Sequence, residues 1–127
     1  MAKQDYYEQG QLTDVAYLVL VSLTRPRHGY LIMSKVEEMT EGRANIGPAS
    51  LYTTLRKLSQ AGFIRLLEDA DNKKVYCITD QGIETLRVEI EKREQYAAIG
   101  KLALNSYEVS AAWENTDTDS DTALQMA

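Results

Sequence analysis

A mainly α-helical fold carrying one small two-stranded β-hairpin is predicted by three features of this 127-residue sequence. Apolar residues recur at three- and four-residue intervals in three successive segments of the first half. A strongly polar loop near residue 70 then separates two short strand-like runs, and a further helical pattern begins at Thr79 and continues past residue 100.

The first helix is expected over residues 11–23. Leu12, Val15, Ala16, Val19, Leu20 and Leu23 form its stripe, and Leu18 and Val21 widen it almost all round, as in a helix buried on most sides. Residues 24–29 read as a connector, because Pro26 disfavours helix at the residue before it and Gly29 permits unusual backbone angles. The second helix, residues 30–39, turns Ile32, Met33, Val36 and Met39 inward and leaves Lys35, Glu37 and Glu38 in water; Gly42 stops it. A third helix starts at Gly47 and Pro48, the proline sitting in the first turn, where its missing N–H costs nothing. Leu51, Leu55 and Leu58 line its inner face. Ala49, Ser50, Thr53, Arg56, Lys57 and Gln60 point the other way, with Tyr52 on the flank. After Gly62, residues 63–67 and 74–78 read as strands joined by Glu68, Asp69, Ala70, Asp71 and Asn72.

Charge is unevenly spread. The chain has 19 acids against 14 bases, a formal net charge of -5 and a pI near 4.9, yet residues 42–67 contain no Asp or Glu. A phosphate chain meets the local field rather than the total charge. A duplex also offers a major groove wide enough for one α-helix, so a reader needs short polar side chains near a helix start and cations beside them. Ser50, Thr53, Arg56 and Lys57 meet that demand, Tyr52 on the flank can donate its hydroxyl to a phosphate, and Lys73 and Lys74 lie beside the hairpin loop, where contact with the DNA backbone is expected.

Other classes of function find little support. There is no phosphate-binding loop, no G-x-S-x-G and no C-x-x-C, and His28 is the only histidine to serve a nucleophile as base. His28 also lacks Cys or carboxylate partners at metal spacing, so it reads as a capping or packing residue, and neither a metal nor a cofactor is expected. The apolar run in residues 15–23 falls well short of the roughly 20 residues that span a bilayer. With one cysteine and no signal-peptide pattern, a soluble cytoplasmic protein is expected.

Three helices followed by a hairpin form the order of a winged helix-turn-helix, and the residues resemble the PadR-like transcriptional regulators. HGY at residues 28–30, SLYTTLRKLSQAGFI at 50–64 and KKVYCITDQG at 73–82 carry the resemblance, which extends from about Leu12 to Gly82. It implies a homodimer whose third helices read double-stranded DNA at a palindromic operator. Two departures stand out. The loop of the wing opens with Glu68, Asp69 and Asp71 where the family is often rich in Arg and Gly. Arg93 stands where the multidrug-sensing members place an aromatic, which argues against a flat hydrophobic drug pocket.

The fourth helix, capped by Thr79 or Asp80, carries Ile83, Leu86, Ile90, Ala97 and Leu104 in a sparse stripe that three short helices can hardly cover. Leu102, Val109 and Trp113 keep helical spacing beyond Gly100. The resemblance implies that this helix pairs with the first helix of a second subunit, which would place Leu12, Val15 and Val19 in the same seam. Four regions are expected: an extension (1–10), a DNA-binding domain (11–79), a dimerisation region (80–114) and an acidic, disordered tail (115–127). The resulting expectation is a sequence-specific dimeric repressor modulated by an effector. The alternative is an interaction module whose basic helix binds an acidic protein.

Overall fold

The computed structural model describes residues 7–67 and 73–116. Its elements are α1 (Asp14–Ser22), β1 (Arg27–His28), α2 (Gly29–Met39), α3 (Pro48–Gln60), β2 (Ile64–Leu67), β3 (Val75–Ile78) and α4 (Asp80–Thr116). The fold is mainly helical with a small sheet and a long C-terminal helix.

Helix α1 is shorter than its apolar pattern. Thr13 ends it by capping, its hydroxyl accepting from the Ala16 N–H at 3.1 Å, and Asp14 places a carboxylate at the positive end of the helix dipole. Leu12 therefore lies ahead of the helix but is still buried, and its N–H donates to the Glu89 carboxylate of α4 at 3.1 Å. A buried residue just before a cap looks, in sequence, like one more helical position. Ala16, Val19, Leu20 and Leu23 then pack with Ile32 and Val36 of α2, Leu51, Leu55 and Leu58 of α3, and Phe63, Ile64 and Leu86 in one core. Helix α2 ends at Met39, after which both Glu41 (φ 53°) and Gly42 (φ 79°) turn left-handed and the Gly42 N–H returns to the Glu37 carbonyl at 2.8 Å.

The sheet has three strands, ordered β1-β3-β2 and antiparallel throughout, rather than the two expected. The connector supplies the third: Arg27 pairs with Tyr76 and His28 with Val75, and the Gly29 N–H donates to the Lys74 carbonyl at 3.1 Å. A two-residue strand has no periodicity to detect, and its pairing comes from the free edge of β3. Gly29 also differs from its expected role. It is the first residue of α2, without a left-handed backbone, and a Cβ there would only touch the Tyr76 ring at 3.4 Å.

The junction of α3, the sheet and α4 is built around Thr79 and Gly82. The Thr79 hydroxyl donates to the Gly62 carbonyl at 2.6 Å and accepts from the Gly82 N–H at 3.0 Å, so one side chain ties the end of α3 to the first turn of α4. Helix α4 passes through Gly100 unbroken, because no other part of the described chain comes near that residue to favour a bend. The described residues divide into two compact units, one up to Ile90 and one from Glu91 onward. Asn115 and Thr116 close α4; the remainder of the expected acidic tail, the acids of the hairpin loop and the first six residues of the extension lie outside the described residues.

Candidate nucleic-acid interface

Helix α3 divides along its length into two faces. Leu51, Thr54, Leu55 and Leu58 are buried against the core; Thr54 joins them although its hydroxyl concealed this in the sequence. On the other face the first turn is open to solvent through Gly47, Pro48, Ala49 and Ser50, followed by Tyr52, Thr53, Arg56 and Gln60. No acidic residue occupies that first turn, so the positive end of the helix dipole is left uncancelled by its own side chains. Ser50 and Thr53 thus offer exposed side-chain hydroxyls on and just beyond the first turn.

Lys57 stands apart from the other residues expected on this face. It is half-buried, and its ammonium lies 5.5 Å from the centre of the Tyr7 ring, which comes from the segment before α1. Tyr52, 57% exposed, borders the Tyr76 phenol of β3. Burial, with the charge of Tyr52 as the smaller cause, pushes that phenol above its ordinary 10.0. Lys73 and Lys74 are exposed where the chain enters β3, and the Lys73 ammonium sits 5.8 Å from the ring centre of Tyr30 in the first turn of α2. The Tyr30 ring in turn packs against His28 with centroids 5.5 Å apart. His28 occupies the N-cap position of α2 without its side chain capping the helix, so of its two expected roles it takes packing.

Tyr7, Tyr30 and Tyr76 were not among the residues expected at this surface. They lie on elements distant in sequence from α3, and only the unusual proportion of eight tyrosines to one phenylalanine hinted at a surface use for aromatic rings.

The residues expected at a subunit seam separate into two groups. Leu12, Val19 and Leu86 are buried in the protomer's own core and have no surface to offer a partner. A helical stripe shows that a face is covered without showing by what; α2 and α3 cover α1 on that side. Val15 is half-buried, whereas Ile83, Ile90, Ala97 and Leu104 are exposed, as are Ile99, Leu102, Tyr107, Val109 and Trp113. Among the described residues no helix is long and apolar enough to cross a membrane, and no three His, Cys, Asp or Glu side chains are grouped to hold a metal ion.

Three helices, a hairpin wing closed by a short strand from the connector, and an open polar face on the third helix define a winged helix-turn-helix protein. The chain belongs to the PadR-like family of transcriptional regulators, matching it over residues 18–88, more than half its length. It is 32% identical over 98 residues to the transcriptional regulator YqjI of Escherichia coli, covering 76% of this chain but only 44% of that relative. Among solved structures it is similar to a PadR family transcriptional regulator from Eggerthella lenta, at 27% identity and a TM-score of 0.57 over 70% of this chain and 80% of that one. It also resembles Bacillus subtilis PadR in complex with operator DNA, at 29% identity and a TM-score of 0.51 over 59% of this chain and 46% of that one.

Proposed function

We propose that this regulator binds double-stranded DNA in sequence-specific fashion as a cytoplasmic homodimer, with one α3 helix entering the major groove at each half of a two-fold operator. The observation that carries this reading is the open face of α3: hydroxyl and cationic side chains lie on a helix whose neighbourhood, residues 42–67, has no acid, in a chain with net charge -5. The operator complex of the similar B. subtilis protein supports it. Ser50 and Thr53 would contact base edges, Tyr52 a phosphate, Arg56 and Lys57 either, and Lys73 and Lys74 of the wing the phosphate backbone. Residues 11–79 would form the DNA-binding part. The exposed apolar residues of α4, from Ile83 and Ile90 to Ala97 and Leu104, would form the contact between subunits. Occupying an operator in this way blocks transcription, and an effector that alters the spacing of the two α3 helices would relieve the block.

The two classes of DNA contact separate experimentally. Phosphate contacts strengthen binding to every sequence and carry the salt dependence, whereas base contacts favour one sequence. Neutralising Lys73 and Lys74 together should weaken binding to all duplexes alike and lower the slope of log affinity against log salt by about one to two units. Thr53→Ala should cost on the order of 1 kcal/mol on the selected operator and little on random duplex. Equal losses on both DNAs for Thr53→Ala would remove α3 as the sequence reader. A wild type that binds no duplex but retains an acidic protein partner would support the interaction-module reading instead.

A further inference from the structure

We propose that Tyr7 and Tyr30, neither of them on α3 or the wing, are positioning residues for DNA binding: each ring holds one lysine of the interface in place before the duplex arrives. The inference rests on the DNA-binding reading above and extends it to the segment before α1 and the first turn of α2.

The geometry is the same at both places. The Lys57 ammonium of α3 lies 5.5 Å from the Tyr7 ring centre, and the Lys73 ammonium at the entrance to β3 lies 5.8 Å from that of Tyr30. Both distances fall within the roughly 6 Å over which a ring face attracts a cation. Each ring is itself held. Tyr7 packs against the core, and the segment that carries it is fastened by the Gln11 N–H to the Glu8 carbonyl at 3.1 Å and by the Leu12 N–H to Glu89. Tyr30 is braced by the His28 ring.

An aromatic partner suits a phosphate-binding lysine better than an acidic one. A carboxylate would cancel the charge and would have to be displaced by the incoming phosphate. A ring restrains the chain and leaves the positive charge in place. A lysine side chain loses rotamer freedom when it grips a phosphate, and a chain already restrained in the free protein loses less. Among the described residues neither Lys57 nor Lys73 has an acidic partner, whereas Lys35 on α2 pairs with Glu38 at 3.5 Å. Lys57 and Lys73 are thus restrained by rings that come from distant parts of the chain and leave their charge in place; Lys92 on α4 also lies over a ring, that of Tyr96 at 6.0 Å, but its ring is four residues away on the same helix.

The test uses the full chain, a duplex selected by the protein from a random pool, and an unrelated duplex of equal length. Tyr30→Leu should weaken binding to both duplexes about two- to five-fold, and Tyr7→Leu should weaken binding to the selected duplex by as much, extending to the unrelated duplex where Lys57 grips a phosphate. Tyr7→Phe and Tyr30→Phe, which keep the ring face, should bind like the wild type. In a Lys57→Gln background Tyr7→Leu should have no further effect, and the same should hold for Tyr30→Leu in a Lys73→Gln background. In the free protein the side-chain methylene protons next to the Lys57 and Lys73 ammonium groups should show ring-current shifts that the matching Leu variant abolishes.

Loss that persists undiminished in the lysine-free backgrounds would overturn the proposal, as would Phe variants as weak as Leu variants, or Leu variants that bind as well as wild type or better. Should a Leu variant fail to fold, the Phe variant and the ring-current shifts of the wild type decide the matter, and unshifted lysine protons would overturn it. A wild type that binds no duplex removes the DNA-binding reading and this proposal together. A binding wild type with unaltered Leu variants removes this proposal alone.

Discussion

Gly82→Ala is expected to destabilise the N-terminal unit by about 2–3 kcal/mol, enough to lower its melting temperature by on the order of 10 °C. Gly82 lies in the first turn of α4 where the helix presses on the end of α3. A Cβ there would overlap the Phe63 carbonyl oxygen and come within 2.7 Å of the Ile78 side chain. The oxygen belongs to backbone already engaged, since the Phe63 carbonyl accepts from the Thr79 N–H at 3.0 Å, so it cannot simply turn aside. Gly100→Ala in the same helix provides the contrast. No other part of the described chain comes within 4 Å of a Cβ at that position, and alanine there should stabilise by roughly 0.5–1 kcal/mol through helix propensity. Thermal or urea unfolding followed by circular dichroism measures both. A Gly82→Ala protein as stable as wild type would mean that the close contact between α4 and the end of α3 is not made.

Ile90→Lys should turn the proposed dimer into monomers and reduce operator affinity by about 100-fold or more, because each half-site would then be bound without the local concentration that a tethered partner provides. The position separates assembly from folding. Ile90 is 39% exposed in the protomer, so a lysine there can reach water when the subunit is alone, yet it would bring a desolvated charge into an apolar seam. Sedimentation velocity at micromolar concentration gives the assembly state, and binding to a half-site duplex should be nearly unchanged. A wild type that sediments as a stable monomer would take away the two-fold operator geometry.

Much of the fold could be read from residue order. Gly47 and Pro48 opening α3, Gly42 closing α2 and Thr79 opening α4 are local signals, because capping and backbone conformation depend on the few residues beside them. The outer face of α3 was legible for the same reason: helical spacing alone places Ser50, Thr53 and Arg56 opposite Leu51, Leu55 and Leu58. The acid-free stretch around it is likewise a property of the sequence, visible without coordinates.

What the tertiary structure decided depends on contacts between residues far apart in the chain. Periodicity shows that Leu12, Val19 and Leu86 must be covered, but only the packing of α1 with α2, α3 and the start of α4 shows that the protomer covers them itself. Local patterns also miss the strand at Arg27 and His28, which exists because β3 offers a free edge, and the buried Glu89, whose carboxylate receives an N–H from 77 residues earlier. Tyr7 meets Lys57, and Tyr30 meets Lys73, only after the chain has folded. The sequence by itself determined which segments are helical, the caps of α3 and α4 and the face that α3 turns to solvent, since each follows from interactions within a turn or two of chain; the start of α1 at Thr13 did not, because Leu12 ahead of it is buried by distant residues. Which apolar residues stayed exposed, and which rings came to rest on which lysines, was decided by the packing of whole elements against one another.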